Sequence, residues 1–167
     1  ETLEVLFKDK TIADVLDPLV LAVLPNGAPV AVGLRSAWPG GSLEVRALAA
    51  ARSDDGVVVG PHPGAAGRHV VVVDDGVETG TVARAAAAAL RGVGVASLTL
   101  AVPVCSREVQ ADLDRRYDRV VAVVRPIARR RLAWHYADFD AVDDATARRL
   151  LAAQPRRGPV DGVPGGS

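Results

Sequence analysis

Short, β-branched and nearly continuous apolar runs recur along this chain, and they leave few folds open. LVLAVL at 19–24, SLEVRAL at 42–48, HVVVVDD at 69–75, SLTLAVPV at 97–104 and RVVAVVRP at 119–126 read as strands covered on both faces. A strand with one wet face would alternate apolar and polar residues instead. DGVVVG at 55–60 reads as a shorter strand. Between the runs lie helix-like segments at 28–37, at the alanine-rich 80–92, and at 106–116, where Ser106 offers an N-cap. Thr146 to Ala153 reads as a terminal helix capped near Asp143. Strands alternating with helices require right-handed crossovers, so the fold class predicted is α/β, with a doubly wound, mainly parallel sheet. The stretch 49–68 carries Gly, Pro, Ser and Asp between two strands and reads as a long loop or β-excursion. Loops of that length inside compact domains are often functional.

Composition narrows the function classes. The 167 residues are 49% hydrophobic, enough to bury one core, and residues 7–153 read as a single domain. Twenty basic residues balance twenty acidic ones, so no global field draws nucleic acid or an anionic membrane. The apolar stretch 82–104 is interrupted by Arg84 and Arg91 and suits a packed helix and strand better than a membrane span. A lone Cys105 allows neither an intrachain disulfide nor a cysteine-cluster zinc site, and it reads as a small core residue. A cytoplasmic location is the default expectation. Residues 1–6 resemble part of a protease-site linker used in recombinant expression, and 154–167, rich in Pro and Gly, reads as a mobile tail.

The strongest chemical signal is VVVVDDGVETGTV at 70–82. Four valines form a buried strand, two adjacent acids stand where it ends, a glycine-containing turn follows, and a helix begins near Thr81. Open α/β sheets bind ligands at the carboxyl ends of their strands. Backbone N–H groups of such a turn, next to a helix N-terminus, suit a phosphate. Asp74 and Asp75 would repel that phosphate, so they suit hydroxyls or a cation beside it. A ribose 5-phosphate meets both demands.

This stretch resembles the binding signature for 5-phosphoribosyl-1-pyrophosphate (PRPP) in type I phosphoribosyltransferases, in which a hydrophobic strand and two acids precede a Thr-Gly phosphate loop. The resemblance implies a type I fold with a small hood built from the chain ends. Carried over by position, Asp74 and Asp75 would hold the ribose 2′- and 3′-hydroxyls, with Gly76 and Val77 as the small or apolar pair. Glu78, Thr79, Gly80, Thr81 and Val82 would wrap the 5′-phosphate. Val82 stands where the signature closes on Thr, and Glu78 stands where members have Thr, Ala or, in hypoxanthine-guanine enzymes, an Asp near the base. LAVLPNGAPVAVGL at 21–34 resembles the family's pyrophosphate loop, with Pro25, Asn26, Gly27 and Ala28 as its turn. Asn26 replaces the usual Arg there, and family practice implies a cis bond or strain at Pro25–Asn26.

Three further stretches resemble an uncharacterised bacterial branch of the family: FKDKTIA at 7–13, VRAL at 45–48, and WHYADFDAVDDATARRLL at 134–151. Arg46 is retained as a candidate catalytic cation, and Ala47 takes the place of a lysine. Trp134, Tyr136 and Phe139 are candidates for stacking on an acceptor base in the hood, or for stapling the end of the chain to the core. In 49–68 and at its border, Arg52, Arg68, His62 and the adjoining His69 are the only cationic or titratable helpers for a lid. RPIARRR at 125–131 reads as a solvated basic face or a phosphate contact.

Two readings follow from the resemblance. In the first, an acceptor nitrogen displaces pyrophosphate at the ribose C1, with Mg²⁺ carried on PRPP oxygens rather than by a direct protein site, and Asp74, Asp75, Glu78 and Arg46 acting as catalytic residues. In the second, the chain binds PRPP or a nucleotide as a regulatory module, because Asn26, Ala47 and Val82 each remove a group that would meet phosphate. The implied partners are PRPP, an unidentified acceptor and a second copy in a homodimer, with no membrane and no nucleic acid.

Overall fold

In the computed structural model, which describes residues 17–38, 43–126 and 142–153, the apolar runs pair side by side as predicted. The strands of the main sheet are β1 (Leu19–Val23), β2 (Glu44–Leu48), β5 (His69–Val73), β6 (Ser97–Val104) and β7 (Arg119–Val124). Their order across the sheet is β2-β1-β5-β6-β7, and every pairing is parallel. The crossovers are α1 (Gly27–Ala37), α2 (Thr81–Val93) and α3 (Arg107–Arg116), and α4 (Asp144–Ala152) follows β7.

Burial on both faces explains why the strands lack alternation. All five residues of β1 are buried. Leu19, Leu21 and Val23 join Val70 and Val72 in a core roofed by α2 and α3. Val20 and Ala22 join Val71 and Val73 in a second core roofed by α1 and α4. Period-two side-chain geometry thus feeds both layers from one strand. Cys105 is fully buried in the first core, as expected of it.

The caps stand where the sequence places them. Ser106 Oγ accepts from Glu108 N at 3.3 Å, and Asp143 Oδ1 accepts from Thr146 N at 2.6 Å. Arg35 reaches from α1 to the last carbonyls of α4, donating to Leu151 O at 3.0 Å and Ala153 O at 2.7 Å. Those oxygens would otherwise lack partners, so one guanidinium anchors a helix distant in sequence.

Residues 49–68 do form a β-excursion. β3 (Ala50–Ser53) and β4 (Gly56–Val59) make an antiparallel hairpin, and a 3₁₀ turn at Pro63–Ala65 leads back to β5. Ala50 and Val59 pack on the first core, and β4 lies against α2, which fixes the hairpin beside the carboxyl edge of the sheet.

Chain direction across the sheet reverses between β1 and β5: α1 carries the chain to β2 on one side, and α2 and α3 carry it to β6 and β7 on the other. At this switch the start of α1 presses on the end of β5. A Cβ on Gly27 would stand 2.5 Å from the Val73 carbonyl oxygen and 3.3 Å from Asp74 Cα. Gly27→Ala is therefore expected to destabilise the fold by about 1–3 kcal/mol through overpacking, although alanine is the better helix former. A urea titration checks this, and a midpoint at or above wild type would show that α1 has room to retreat.

Candidate functional site

Parallel pairing of Ala22 with Val73 delivers two segments to the same edge, Leu24–Asn26 after β1 and Asp74–Gly80 after β5. Each runs directly into a helix, α1 at Gly27 and α2 at Thr81. A cleft of about 630 Å³ opens between them and is lined by both segments together with Ala50, Arg52 and Val57 of the hairpin. Pro25, Asn26, Asp74, Asp75, Gly76, Val77, Glu78, Thr79, Gly80, Thr81 and Val82, eleven of the expected site residues, all face it.

Asp74 and Asp75 form the acidic base of the cleft. Asp75 is 9% exposed, and its N–H donates to Asp74 Oδ1 at 2.8 Å. The two carboxyls also hydrogen-bond each other. Burial, reinforced by the neighbouring Asp75 charge, pushes Asp74 well above the ordinary carboxylate range. Burial raises Asp75 as well, opposed by bonds from Asp74 and from the backbone of Asp75 and Gly76. Like charges this close favour one shared proton. Holding one proton, the pair would present an O–H donor beside carboxylate acceptors, a set suited to two adjacent hydroxyls.

The phosphate-loop candidate is held at both ends. Val77 makes an isolated parallel bridge with Cys105, its N–H donating to Val104 O at 2.8 Å and its carbonyl accepting from Ser106 N at 3.3 Å. Beyond it Gly80 takes φ 79° and ψ 4°, a left-handed conformation that favours glycine. The helix ladder of α2 starts with Arg84 N donating to Gly80 O at 2.9 Å, so the amides of Thr81, Val82 and Ala83 have no carbonyl within the helix. No acid occupies that first turn. The Thr79 and Thr81 hydroxyls lie 3.1 Å apart on the exposed rim, and Glu78 is exposed beside them. Free amides, a helix N-terminus and paired hydroxyls are groups whose chemistry suits an anion.

The upstream turn differs from expectation in one respect. The cis bond is Leu24–Pro25, one residue before the anticipated Pro25–Asn26, and Asn26 is an ordinary right-handed residue at φ −79° and ψ −16°. The physical reason is the tertiary amide of proline, which lowers the cis penalty from about 3–4 kcal/mol to about 1 kcal/mol. Ala28, at the start of α1, is buried and donates to Pro25 O at 3.3 Å. Asn26 Oδ1 accepts from Val142 N at 3.4 Å and so ties the turn to the approach to α4.

Arg46 is not brought to the cleft. It pairs with Leu21 in mid-strand, is 59% exposed at its side chain, and binds Glu44 at 2.7 Å. Arg68 binds the same carboxylate at 2.6 Å, and these partners, Arg68 first, pull Glu44 below its usual range. Arg52 is thus the one cation among the described residues lining the cleft, which it shares with Asp74, Asp75 and Glu78. Trp134, Tyr136 and Phe139 lie outside the described residues, as do FKDKTIA and most of RPIARRR. Among the described residues no three His, Cys, Asp or Glu side chains gather as a metal site, and no helix is long and apolar enough to cross a membrane.

Two supports of the loop escape a reading of the sequence. Arg84, conspicuous there only as a break in an apolar stretch, bonds Asp112 Oδ2 at 2.5 Å and Thr79 O at 3.1 Å. Buried Tyr117 donates to Ala83 O at 2.7 Å. The one available signal is that Arg84 lies three residues beyond Thr81, on the same side of α2.

The raised acid pair has a measurable consequence. Because the folded state holds a proton more tightly than the unfolded chain, stability is lost as pH rises from the ordinary carboxyl range through the raised folded value. Asp74→Asn removes that titration. Its melting temperature is expected to exceed that of wild type, and by more at pH about 8 than at pH about 5. An equal difference at both pH values would place the shared proton elsewhere.

Several solved structures share this architecture. A Thermus thermophilus protein aligns over 90% of this chain and 94% of its own, with 21% identity and a TM-score of 0.74. A hypoxanthine-guanine phosphoribosyltransferase from Bacillus anthracis aligns over 76% of each chain, at 16% identity and a TM-score of 0.58. A Neisseria gonorrhoeae protein solved with bound ppGpp aligns over 90% of this chain and 89% of its own, at 15% identity and a TM-score of 0.53. These likenesses establish a shared type I fold. Residues 9–129, well over half of the sequence, match the phosphoribosyl transferase domain, and the chain belongs to that family.

Proposed function

We propose that this protein transfers the 5-phosphoribosyl group of PRPP to a nucleobase, with a purine as the acceptor. The observation that carries the proposal is the Asp74–Asp75 pair set directly before the Glu78–Val82 cradle at the sheet's switch point. A ribose 5-phosphate lying with its phosphate on the amides of Thr81–Ala83 would place its hydroxyl edge over the acids. The purine assignment draws on similar enzymes of stated reaction, such as the Bacillus anthracis hypoxanthine-guanine enzyme.

In this reaction the bond from ribose C1 to the pyrophosphate oxygen breaks and a bond from the base nitrogen to C1 forms. The base loses its proton, and pyrophosphate leaves with the bonding pair. The transition state resembles an oxocarbenium ion, so positioning and charge placement do most of the work. Asp74 and Asp75 orient the ribose through its hydroxyls and set anionic charge close to the developing cation. Glu78, exposed on the rim, is placed to accept a hydrogen bond or the proton from the incoming base. Pyrophosphate would meet the turn at Pro25–Ala28, where α1 begins. The acidic cleft base is compatible with Mg²⁺ arriving on PRPP oxygens and water, a mode that suits its reluctance to dehydrate. When bound, Mg²⁺ would neutralise the leaving pyrophosphate.

A regulatory PRPP- or nucleotide-binding role is the second reading. It is favoured by the weakly cationic cleft, in which Asn26 engages Val142 and Arg52 is the one cation lining it among three carboxyls of the described residues. The Neisseria gonorrhoeae protein, similar in fold, carries ppGpp.

Incubation with PRPP, Mg²⁺ and a panel of purines separates the readings. Pyrophosphate release with at least one base is expected, and the Asp74→Asn/Asp75→Asn double variant is expected to lower kcat/KM by roughly 100-fold or more. Arg52→Ala is expected to raise the KM for PRPP about tenfold, the loss of one charge-assisted contact. Tight PRPP binding without release by any base would favour the regulatory role.

A further inference from the structure

The Thr79–Gly80 peptide can face the cleft in either of two ways, and only one suits an anion. In a trans peptide the carbonyl oxygen and the following N–H project from opposite edges of the plane. With glycine at position 80, either orientation is sterically open, so the choice has to be imposed from outside the loop. A carbonyl turned toward the cleft would repel phosphate, whereas an N–H turned toward it would bind.

Arg84 imposes the choice from the far side of the loop. Thr79, Gly80, Thr81, Val82 and Ala83 line the cleft and Arg84 does not. Its Nη1 donates to the Thr79 carbonyl at 3.1 Å, which draws that oxygen away from the cleft. Its guanidinium also packs beneath Gly80: a Cβ there would lie 3.4 Å from Arg84 Cζ and 3.5 Å from Nη2. Arg84 is fixed in turn by Asp112 on α3, whose Oδ2 accepts from Nε at 2.5 Å. Asp112 is also within 3.5 Å of Arg115 and 3.3 Å of Arg116. Arg84 first, and Arg116 after it, hold its carboxyl down to about 2, so the ion pair persists at neutral pH.

We propose that Arg84 and Asp112 form a clasp that locks the Thr79–Gly80 peptide with its N–H toward the cleft, making Arg84 the positioning residue of the phosphate cradle. This rests on the reading of Glu78–Val82 as that cradle. The clasp acts by geometry, because the Arg84 charge is matched by a carboxylate. The distinction is testable, since charge and geometry predict opposite effects of losing Asp112. Removing a carboxylate from among three arginines makes the field more positive and would tighten anion binding if charge ruled. Releasing Arg84 from its anchor weakens binding if geometry rules.

Calorimetry with ribose 5-phosphate and with PRPP on wild type, Arg84→Met, Arg84→Lys and Asp112→Ala decides it, with thermal melts run alongside. Arg84→Met and Asp112→Ala are each expected to weaken ribose 5-phosphate binding about tenfold, and Arg84→Lys is expected not to restore it. The KM for PRPP should rise by a similar factor with little change in kcat. Asp112 lies on the surface of α3, so that variant keeps the test available should Arg84→Met fail to fold. Unchanged or tighter binding in Asp112→Ala, or full binding by Arg84→Lys, would overturn the clasp and leave the cradle standing. A wild type that binds neither ligand would overturn the cradle itself.

Discussion

Parallel pairing of β1 with β5 is the constraint on which the rest of the structure depends. It aligns Ala22 with Val73, and so releases the two site segments at the same height on the same edge. Because the chain turns outward in opposite directions from this pair, no crossover helix covers the gap between the strand ends. Both helices that leave the edge begin there, and α2 brings the unpaired amides of Thr81, Val82 and Ala83 to the cleft. Close approach at Gly27 keeps the arrangement tight, since α1 touches β5 where the acids begin.

Electrostatics in the cleft run against a simple picture of anion binding. Its described lining holds Asp74, Asp75 and Glu78 against Arg52 alone. The acid pair is tolerated because burial raises both carboxyls and a shared proton removes much of their repulsion. That state also lowers the negative field that an arriving phosphate would meet. A ligand offering hydroxyls would exchange the hydrogen bond between the acids for bonds to itself. The stability loss expected at high pH and the ribose binding proposed for this site thus rest on the same two groups.

Much of this is legible in the sequence, for reasons that are local. Four consecutive valines ending in Asp-Asp, then Thr-Gly-Thr, encode strand, acids, turn and helix in order, and the structure places each there. Ser106 and Asp143 announce their helices by cap chemistry that depends on residues two or three positions away. What escapes is long-range. Arg46 resembles a site cation through its neighbours in sequence, yet strand register pairs it with mid-strand Leu21 and Glu44 captures it. Arg84 meets Asp112 across 28 positions, and Asn26 meets Val142 across 116. The cis bond at Leu24–Pro25 is by contrast a local matter, because the tertiary amide of proline lowers the cis cost of the bond before it and not of the bond after it.

Reliance on backbone amides follows from the acids. A flexible cation placed near Asp74 and Asp75 would swing into an ion pair with them, as Arg46 and Arg68 both do with Glu44. An amide cannot swing, and its dipole points wherever the surrounding structure holds the peptide plane. The requirement moves from the side chains of the cleft to whatever fixes its backbone: the Val77 bridge to Cys105, Tyr117 bound to the Ala83 carbonyl, and Arg84 beneath Gly80. Cys105, Tyr117 and Arg84 all lie outside the cleft lining, where their own polar groups cannot compete for a ligand. An anion site built this way would discriminate by the shape of its ligand more than by total charge, because fixed N–H vectors reward an oxygen only where they converge.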